Sequence, residues 1–218
     1  MPLSSTRIRG IVFDLDGTLY VAPDFADAIQ DAACEYVARL KGITSEQADQ
    51  LIASSRIHVA EETGAVPTLS SVCARLGGDI RDLHTYFEGR LRPETYLTRD
   101  KRVIDLLEKL SRSIPLYLFT NNNRALTARI IDYLGLNGLF RRIYTIDDTW
   151  KGKPDEDILD RILAEAGLMP SEALFVGDRY DVDLRLPAQR GCPVYLSQSV
   201  EQLLQLEGIL RASLIPNI

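Results

Sequence analysis

The sequence predicts an α/β protein with a doubly wound, Rossmann-like parallel sheet and an inserted all-α domain. Short, wholly apolar segments alternate with amphipathic segments of helical period, the pattern of a parallel sheet with right-handed crossovers. The stretch from 24 to 92 contains no convincing strand and interrupts that alternation after the first strand. Polar residues follow three of the apolar segments, and the carboxyl ends of parallel strands are where open sheets bind ligands.

The overall composition sets limits on the class of protein. The chain has 218 residues, of which 45% are hydrophobic and 26% charged, so it can bury a sizeable core. Its net charge of −6 excludes a general nucleic-acid or membrane-surface binder, which needs a basic face. No run approaches the ~20 apolar residues of a membrane span. We therefore expect neither a nucleic acid polymer nor a membrane as partner.

The cysteines and the first residues bear on the compartment. Cys34, Cys73 and Cys192 are odd in number and lack the spacing of a metal site, which indicates small core residues in a reducing environment. The segment 1–7 lacks the apolar region of a signal peptide. These observations predict a cytoplasmic protein, and they leave open whether it is a monomer or a homodimer.

The first strand ends in a group of polar residues. Ile11 to Phe13 form an apolar run that suits a strand covered on both faces, and Asp14, Asp16 and Gly17 follow. In an extended chain the two carboxylates point the same way, and glycine allows a tight turn with positive φ. Two neighbouring acids are costly unless a cation or a shared proton relieves them. The alternative interpretation is a strand that simply ends in an acidic turn.

The block that follows is helical throughout. Apolar residues recur at helical spacing from Phe25 to Leu40, and Gly42 is a stop signal. Thr44 and Gln47 form a capping-box pattern that opens a second helix. Shorter helices are predicted over 69–76 and 79–90.

The remainder predicts four further strands with helices between them. Polar residues again follow strands: Thr120 and Asn121 after the second, and Asp178 after the fourth, while Lys153 lies in a loop. Pro187 predicts that the helix around it begins late or is kinked. The strands are predicted over 114–119, 142–146, 173–176 and 194–196, and the tail from 213 to 218 is expected to be poorly ordered.

The segment from Asp14 to Thr18 resembles the first signature of the haloacid dehalogenase (HAD) superfamily, whose members are mostly phosphatases. Thr120, Lys153 and Asp178 match the three later motifs in order. The resemblance covers residues 9–19 and 93–196. Lys151 competes with Lys153, which we prefer because Lys-Pro-Asp opening a helix is similar to the third motif of the family.

The resemblance implies a helical cap inserted after the first strand. The expected domains are an α/β core of 1–19 and 93–218 and an all-α cap of 20–92. The chain departs from the family pattern in two ways that matter for the site. Arg179 stands where a small hydroxyl residue is common, and Asp181 and Asp183 both compete to be the second acid of the fourth motif.

In the family, chemistry proceeds through an aspartyl phosphate. The resemblance then assigns Asp14 as nucleophile and Asp16 as general acid and base. Thr120 and Lys153 are assigned to catalysis and to binding of the phosphoryl oxygens, together with Asn121. Each also has a structural interpretation: Thr120 and Asn121 as a helix cap and Lys153 as a solvated loop charge.

The resemblance further implies Mg²⁺ as cofactor, because Mg²⁺ prefers hard oxygen ligands. Asp14, the backbone carbonyl of Asp16, and Asp178 are the expected ligands. For Asp178, the structural alternative is a residue of an ordinary turn.

The expected reaction is Mg²⁺-dependent hydrolysis of a small phosphorylated metabolite. Leu19 and Tyr20 after the first motif are similar to the pyrimidine 5′-nucleotidase-like branch, so a nucleoside 5′-monophosphate is the first candidate. Phosphoglycolate or a sugar phosphate is the second. Tyr20, Arg56 and His58 are the candidates for reaching the substrate from the cap.

Other functions remain open at this point. A β-phosphoglucomutase-like mutase shares the motifs, and a catalytically idle binding module is a further alternative. The 2-haloacid dehalogenase branch lacks the second aspartate, so Asp16 argues against it. Response-regulator receivers use similar residues, but their phosphate acceptor does not end the first strand before a helical insertion.

Overall fold

A computed structural model describes residues 8–213 of the chain. The prediction for segment 1–7, and that for the tail beyond Ser213, lie outside the described residues. The described part contains a five-stranded sheet, all of whose neighbouring pairs are parallel, in the order β3-β2-β1-β4-β5. The strands are β1 (Gly10–Phe13), β2 (Leu116–Phe119), β3 (Arg142–Tyr144), β4 (Ala173–Gly177) and β5 (Val194–Leu196).

Helices surround the sheet, and the predicted α/β fold is confirmed. Six of them lie between β1 and β2: α1 (Pro23–Lys41), α2 (Ser45–Thr63), α3 (Leu69–Arg75), α4 (Ile80–Arg90), α5 (Pro93–Tyr96) and α6 (Lys101–Ser111). Five follow β2: α7 (Arg124–Leu134), α8 (Glu156–Ala166), α9 (Arg185–Gln189), α10 (Val200–Leu204) and α11 (Leu206–Ser213). No helix within 8–213 is both long and apolar enough to cross a bilayer.

The central strand shows why a continuous apolar run forms here. Successive side chains of a strand point to opposite faces, and both faces of β1 are covered. Ile11 and Phe13 belong to one buried cluster, with Leu118 of β2. Val12 belongs to the cluster on the other face, with Ile162 of α8. Because both faces are buried, β1 contains no polar side chain, and the first one, Asp14, comes directly after the strand ends.

The order of the strands places a crevice beside β1. The chain moves outward from β1 through β2 to β3, then returns to the other side of β1 to build β4 and β5. Connections therefore leave β1 and β4 in opposite directions, which opens a crevice at their carboxyl ends. Asp14 follows β1 and Asp178 follows β4, so both carboxylates begin at this crevice.

The long helices begin and end where the sequence signals lie. Thr44 accepts a hydrogen bond from the N–H of Gln47, whose side chain accepts one from the N–H of Thr44, so the predicted capping box is confirmed. Gly42 and Gly64 end α1 and α2 in the left-handed conformation. The division into a core of 1–19 and 93–218 and a cap of 20–92 stays a prediction.

Some boundaries differ from the sequence-based expectation, and the second strand begins at Leu116 rather than at 114. The third strand ends at Tyr144 rather than at 146, because the N–H of Ile146 donates to the carbonyl of Asn122 and a 3₁₀ turn begins. Around Pro187 the α-helix begins only at Arg185, in keeping with the predicted late start or kink. A π-helical turn over Tyr180–Leu184 leads directly into α9, so Pro187 falls in the first turn of the α-helical segment, where its missing N–H is tolerated.

His84 of α4 is buried where the helical block meets the core. Its Nε2 lies 3.1 Å from the hydroxyl of Ser70, and its ring packs edge-on against Phe87. Its Nδ1 is buried without a partner. The backbone carbonyl of His84 accepts a hydrogen bond of 2.6 Å from the amide of Asn123, at the start of α7.

We predict that His84 makes stability fall under mild acid. Burial lowers the pKa of His84 from 6.5 to about 4, against a smaller opposing effect of Asp147. Between these values the unfolded chain binds a proton that the folded chain refuses, so stability is lost as pH falls from 6.5 towards 4. As pH falls through that window, the wild type should lose up to about 3 kcal/mol of unfolding free energy relative to a His84→Gln variant. Urea titrations from pH 7.5 to 4.5 measure this, and a constant gap would contradict it.

Candidate active site

The carboxylate of Asp14 is buried and held from both sides. Its Oδ1 lies 2.5 Å from Nζ of Lys153, and its Oδ2 accepts a hydrogen bond of 3.2 Å from the hydroxyl of Thr18. Its backbone N–H donates to the carbonyl of Val176 in β4, which fixes the chain direction as it leaves β1. Two charge-assisted contacts therefore orient this carboxylate at the crevice.

Lys153 reaches Asp14 because contacts with β2 and the loop after it hold its own loop in position. Its backbone N–H donates to Oδ1 of Asn121 at 2.7 Å, and its Nζ lies over the ring of Phe119. The competing Lys151 turns outward, where its Nζ pairs with Asp157 at 2.9 Å. The structure thus places Lys153, and not Lys151, beside Asp14.

Asp16 is held by three side chains from two segments. The hydroxyl of Tyr20 donates to its Oδ1. The amide of Asn122 donates to its Oδ2 at 2.8 Å, and the hydroxyl of Thr120 lies 3.4 Å from the same oxygen. The second carboxylate is therefore fixed separately from the first, facing the loop after β2.

The loop after β2 does not serve as a simple helix cap. Asn123 caps α7, since its Oδ1 accepts from the N–H of Leu126 at 2.7 Å. Thr120 is fully buried, and its hydroxyl accepts from the N–H of Asn122 at 3.1 Å. Thr120 and Asn121 are thus free of the cap role and face the crevice residues.

Three carboxylates meet at the crevice. Single oxygens of Asp14, Asp178 and Asp183 all lie within 4.8 Å of one another. Oδ1 of Asp178 is buried and has no hydrogen-bond partner among the described residues. Three hard oxygens with one of them orphaned are the donor set that a divalent cation prefers.

Glycines make room for two of these carboxylates. Gly17 has φ +85°, and a Cβ there would lie 2.4 Å from Oδ2 of Asp178. At Gly177, the last residue of β4, a Cβ would lie 2.4 Å from Cβ of Asp183. Only the absence of side chains at both positions lets the acids approach the end of β1.

The structure separates the two competing acids of the fourth motif. Asp183 is buried, accepts a hydrogen bond of 3.1 Å from the N–H of Arg179, and lies 3.0 Å from Nζ of Lys153. Asp181 instead points outward and pairs with Arg185 at 3.6 Å. The π-helical turn sets this orientation, which sequence patterns do not reveal.

The site carries more negative charge than its burial favours. Burial raises the pKa of Asp14 to about 7, with Lys153 opposing the rise and the charges of Asp183 and Asp16 adding to it. Burial and the charge of Asp183 raise the pKa of Asp178 to about 6. A cation bound between these carboxylates would favour their charged forms.

The two cations of the site respond in the opposite sense. Burial works to lower the pKa of Lys153, but the charges of Asp14 and Asp183 outweigh it and raise the pKa. Arg179 behaves alike, because Asp183, Asp14 and Asp178 overcome the effect of burial on its pKa. Both side chains therefore stay positively charged beside the acids.

A cavity of about 690 Å³ opens between this crevice and the helical block. Tyr20 and Arg56 line it, as do Asn121 and Arg179. His58, predicted as a substrate contact, does not reach it. Its side chain is exposed, and its Nε2 pairs with Glu62 at 3.1 Å on the outer face of α2.

The structure brings together most of the predicted site residues and adds others. Asp14, Asp16, Thr120, Lys153 and Asp178 meet at one sheet edge, with Asn121 and Tyr20 beside them. The residues that sequence reasoning did not assign to the site are Thr18, Asn122, His84 and Arg179. Arg179 follows Asp178 directly and Thr18 belongs to the first motif, so their positions in the sequence could have indicated a role in the site. No sequence feature indicated such a role for Asn122 or His84.

The model of the haloacid dehalogenase-like hydrolases matches residues 8–189, a range that includes every residue of this site. The chain belongs to the haloacid dehalogenase-like hydrolases. As a HAD hydrolase it is an enzyme, and its first motif starts at Asp14.

Curated relatives of this HAD hydrolase include phosphoglycolate phosphatases. That of Escherichia coli is 28% identical over 203 residues, which cover 85% of this chain and 79% of that protein. That of Pectobacterium atrosepticum is 28% identical over 189 residues, covering 86% and 79%.

Solved structures resemble this HAD hydrolase in fold. A HAD phosphatase from Thermococcus onnurineus has a TM-score of 0.61 at 19% identity, covering 93% of this chain and 98% of that one. A 2-haloacid dehalogenase from Pseudomonas syringae has a TM-score of 0.60 at 20% identity, covering 94% and 99%. Because proteins of both names match equally well, the likeness establishes the fold alone.

We predict that Gly17→Ala disturbs the acidic cluster of this HAD hydrolase. Its new Cβ would displace Asp178 and weaken Mg²⁺ binding. The same rise in melting temperature should then need at least ~10-fold more Mg²⁺, which corresponds to a loss of about 1.4 kcal/mol in binding free energy. Gly138→Ala is the matched control: Gly138 has φ +77°, and a Cβ there meets nothing within 4 Å. Each variant should lose about 1–2 kcal/mol of stability from backbone strain. Equal Mg²⁺ responses in the two variants would contradict the prediction.

Proposed function

We propose that this HAD hydrolase cleaves the phosphomonoester of a small phosphorylated metabolite, with Asp14 as the nucleophile and Mg²⁺ as cofactor. One observation carries the proposal: the Asp14 carboxylate is held by Lys153 and Thr18, beside a second carboxylate, Asp16, that is fixed separately and lines the cavity. The names of the phosphoglycolate phosphatases support the reaction class.

In the first step, an oxygen of Asp14 attacks phosphorus and the bond from phosphorus to the leaving oxygen breaks. Asp16 gives its proton to that oxygen, so an alcohol departs and Asp14 carries an acyl phosphate. The donors Tyr20 and Asn122 hold the two oxygens of Asp16 and aim the carboxyl group. Burial and then the charge of Asp16 raise the pKa of Tyr20, so its hydroxyl stays a donor.

In the second step, water attacks the phosphorus of the acyl phosphate. Asp16, now a carboxylate, takes the proton of that water, and the bond to Asp14 breaks to release inorganic phosphate. One phosphate ester and one water become an alcohol and phosphate, with both aspartates restored. The separate anchoring of Asp14 and Asp16 lets one serve as nucleophile while the other moves protons.

The residues present fit a magnesium ion. Asp14 and Asp178, with the backbone carbonyl of Asp16, would hold it, and Asp183 completes the acidic cluster. The orphaned Oδ1 of Asp178 and the space left by Gly17 support this assignment. When bound, Mg²⁺ supplies positive charge that lets a carboxylate and a phosphate approach each other.

Four groups are proposed to bind the phosphoryl oxygens. Lys153 and Arg179 provide charge, and Thr120 and Asn121 provide polar groups at the loop before α7. Lys153 already contacts Asp14, so it would also stabilise the charge that spreads over the reacting oxygens. Asp183 holds Lys153 at 3.0 Å and so keeps it in place.

We propose two candidate classes of substrate. The proposal of a nucleoside 5′-monophosphate rests on the resemblance of Leu19 and Tyr20 to nucleotidase-like phosphatases. Phosphoglycolate or a sugar phosphate is supported by the names of the curated relatives. The cavity of about 690 Å³ accommodates either class.

The helical block of 20–92 is proposed to act as a cap. Phe25, Ile52, Arg56 and Phe87 of this block line the same cavity as the crevice residues. Lids of this kind exclude water and strengthen the electrostatic contacts beneath them. A cap in this position favours small leaving groups over phosphoproteins.

We predict that turnover requires both Asp14 and a divalent metal. A phosphomonoester panel with Mg²⁺ should show hydrolysis that a chelator abolishes. Asp14→Asn keeps the shape but removes the attacking charge, so kcat should fall at least ~10⁴-fold, to background. Asp181→Asn removes an acid from the same sheet edge that points outward, and it should retain wild-type activity.

The outcome also separates the alternatives. Release of phosphate without a bisphosphate activator favours a phosphatase over a mutase. Halide release from 2-haloacids would support the dehalogenase branch instead. A chain that binds Mg²⁺ and phosphate esters without turnover would be an idle binding module, and a variant Asp14→Asn with a tenth of wild-type activity would refute Asp14 as nucleophile.

A further inference from the structure

We propose that the substrate carries a second anionic group on its leaving alcohol, and that Arg56 of α2 binds this group. The inference rests on the proposed phosphatase function and names its substrate class: a short phosphomonoester with a carboxylate or second phosphate at its far end. Arg56 is then a specificity-determining residue rather than a catalytic one.

Arg56 belongs to the face of α2 that lines the cavity. Asp49, Ile52, Ala53 and Arg56 all line it, and their spacing of three and four residues places them on one side of the helix. Asp16, Asn121, Asp178 and Arg179 of the crevice line the same cavity. A ligand bound at the crevice therefore shares one cavity with Arg56.

The guanidinium of Arg56 lacks a partner in the described chain. Its Nε is buried and donates to no hydrogen-bond acceptor, and within 8–213 Arg56 forms no ion pair. By contrast, Arg90 of the same helical block is paired bidentately with Glu35. An arginine stays charged in proteins, and a buried donor without an acceptor is costly.

The nearest candidate among the cavity acids is already engaged. Asp49 precedes Arg56 by two helical turns, and its Oδ1 accepts from Nε2 of Gln30 at 3.1 Å and from Sγ of Cys34 at 3.5 Å. Among residues 8–213, no carboxylate therefore serves as counter-ion for Arg56. A ligand with an anionic group would provide one.

The other cations of the site are occupied elsewhere. Lys153 contacts Asp14 and Asp183, and Arg179 lies beside Asp178. These cations serve the phosphoryl end. Phe25, Ile52, Leu69 and Phe87 add apolar surface to the same cavity. The cavity therefore combines the cation Arg179 beside the acids, apolar surface, and Arg56, which has no partner among the described residues.

A neutral nucleoside does not match this pattern. It would supply no negative charge to Arg56, so the buried Nε would still lack an anionic acceptor. A short acid ester would satisfy both ends at once. The structure thus favours the second substrate candidate over a nucleoside 5′-monophosphate.

The test compares Arg56→Gln and Arg56→Lys with the wild type. The substrates are phosphoglycolate, ethylene glycol bisphosphate, and 2-hydroxyethyl phosphate, which has a neutral end of the same length; a nucleoside 5′-monophosphate is the fourth. Arg75→Gln is the charge-matched control, since Arg75 pairs with Glu62 on the surface of the same block.

We expect Arg56→Gln to lower kcat/KM about 100-fold for at least one of the two anionic substrates, mainly through KM. Its effect on 2-hydroxyethyl phosphate should stay below ~3-fold, Arg56→Lys should recover part of the loss, and Arg75→Gln should change neither. The substrate that loses most identifies the anion as carboxylate or phosphate.

Equal losses on charged and neutral esters would overturn the proposal, because Arg56 would then hold the reacting phosphoryl group or the fold. Wild-type preference for the nucleotide, or no effect of Arg56→Gln, would also overturn it.

Absence of turnover with every ester would refute the proposed function separately. In that case calorimetry of phosphoglycolate and the bisphosphate binding to Asp14→Asn, with and without Arg56→Gln, still decides the role of Arg56: a difference of ~10-fold or more in Kd for either ligand supports it, and none overturns it.

Discussion

The buried ion network of Asp14, Lys153 and Asp183 is the interaction on which the rest of this site depends. All three side chains are nearly inaccessible to solvent, and Lys153 bridges the two carboxylates. Removing water from such charges is expensive, and the cost is recovered only if the partners are held in good geometry. The sheet supplies that geometry: the acids follow adjacent strands β1 and β4, and the lysine comes from a loop tied to Asn121 beyond β2. An arrangement that is costly for stability but well oriented is typical of a reaction centre.

The helical block completes this centre without contributing to the ion network. It lines the cavity together with the crevice residues, and its surface residues Arg75 and Arg90 are paired with Glu62 and Glu35. Arg56 instead lines the cavity, and its Nε has no acceptor among residues 8–213. The backbone carbonyl of His84 joins the block to the amide of Asn123, directly after the loop that carries Thr120. Under the proposed function, recognition of the leaving group and binding of the phosphoryl group belong to different parts of the chain, which meet at α4 and α7.

Much of this arrangement could be predicted from the sequence, because the elements that build it have strong local signals. Apolar runs marked the strands, and the polar residues directly after them had to meet at one edge of a parallel sheet. Orientation within helical turns was harder. Residues 56 and 58 are about 200° apart around an α-helix, so only one can face the cavity; α2 buries few apolar side chains, and its sequence does not show which. Likewise, the π-helical turn that points Asp183 inward and Asp181 outward has no sequence signature. Contacts such as that of Asn122 with Asp16 arise from loop conformation and could not be foreseen.

The central claim is that phosphate passes through a covalent bond to Asp14. The most direct measurement is to mix the enzyme with Mg²⁺ and a turned-over ester, quench in acid within milliseconds, reduce with borohydride, and map the peptides by mass spectrometry. An aspartyl phosphate is reduced to the side chain of homoserine, so the account predicts that this mass change appears at position 14 and at no other aspartate. Efficient turnover with no modification at position 14, or modification at Asp16 instead, would contradict the account.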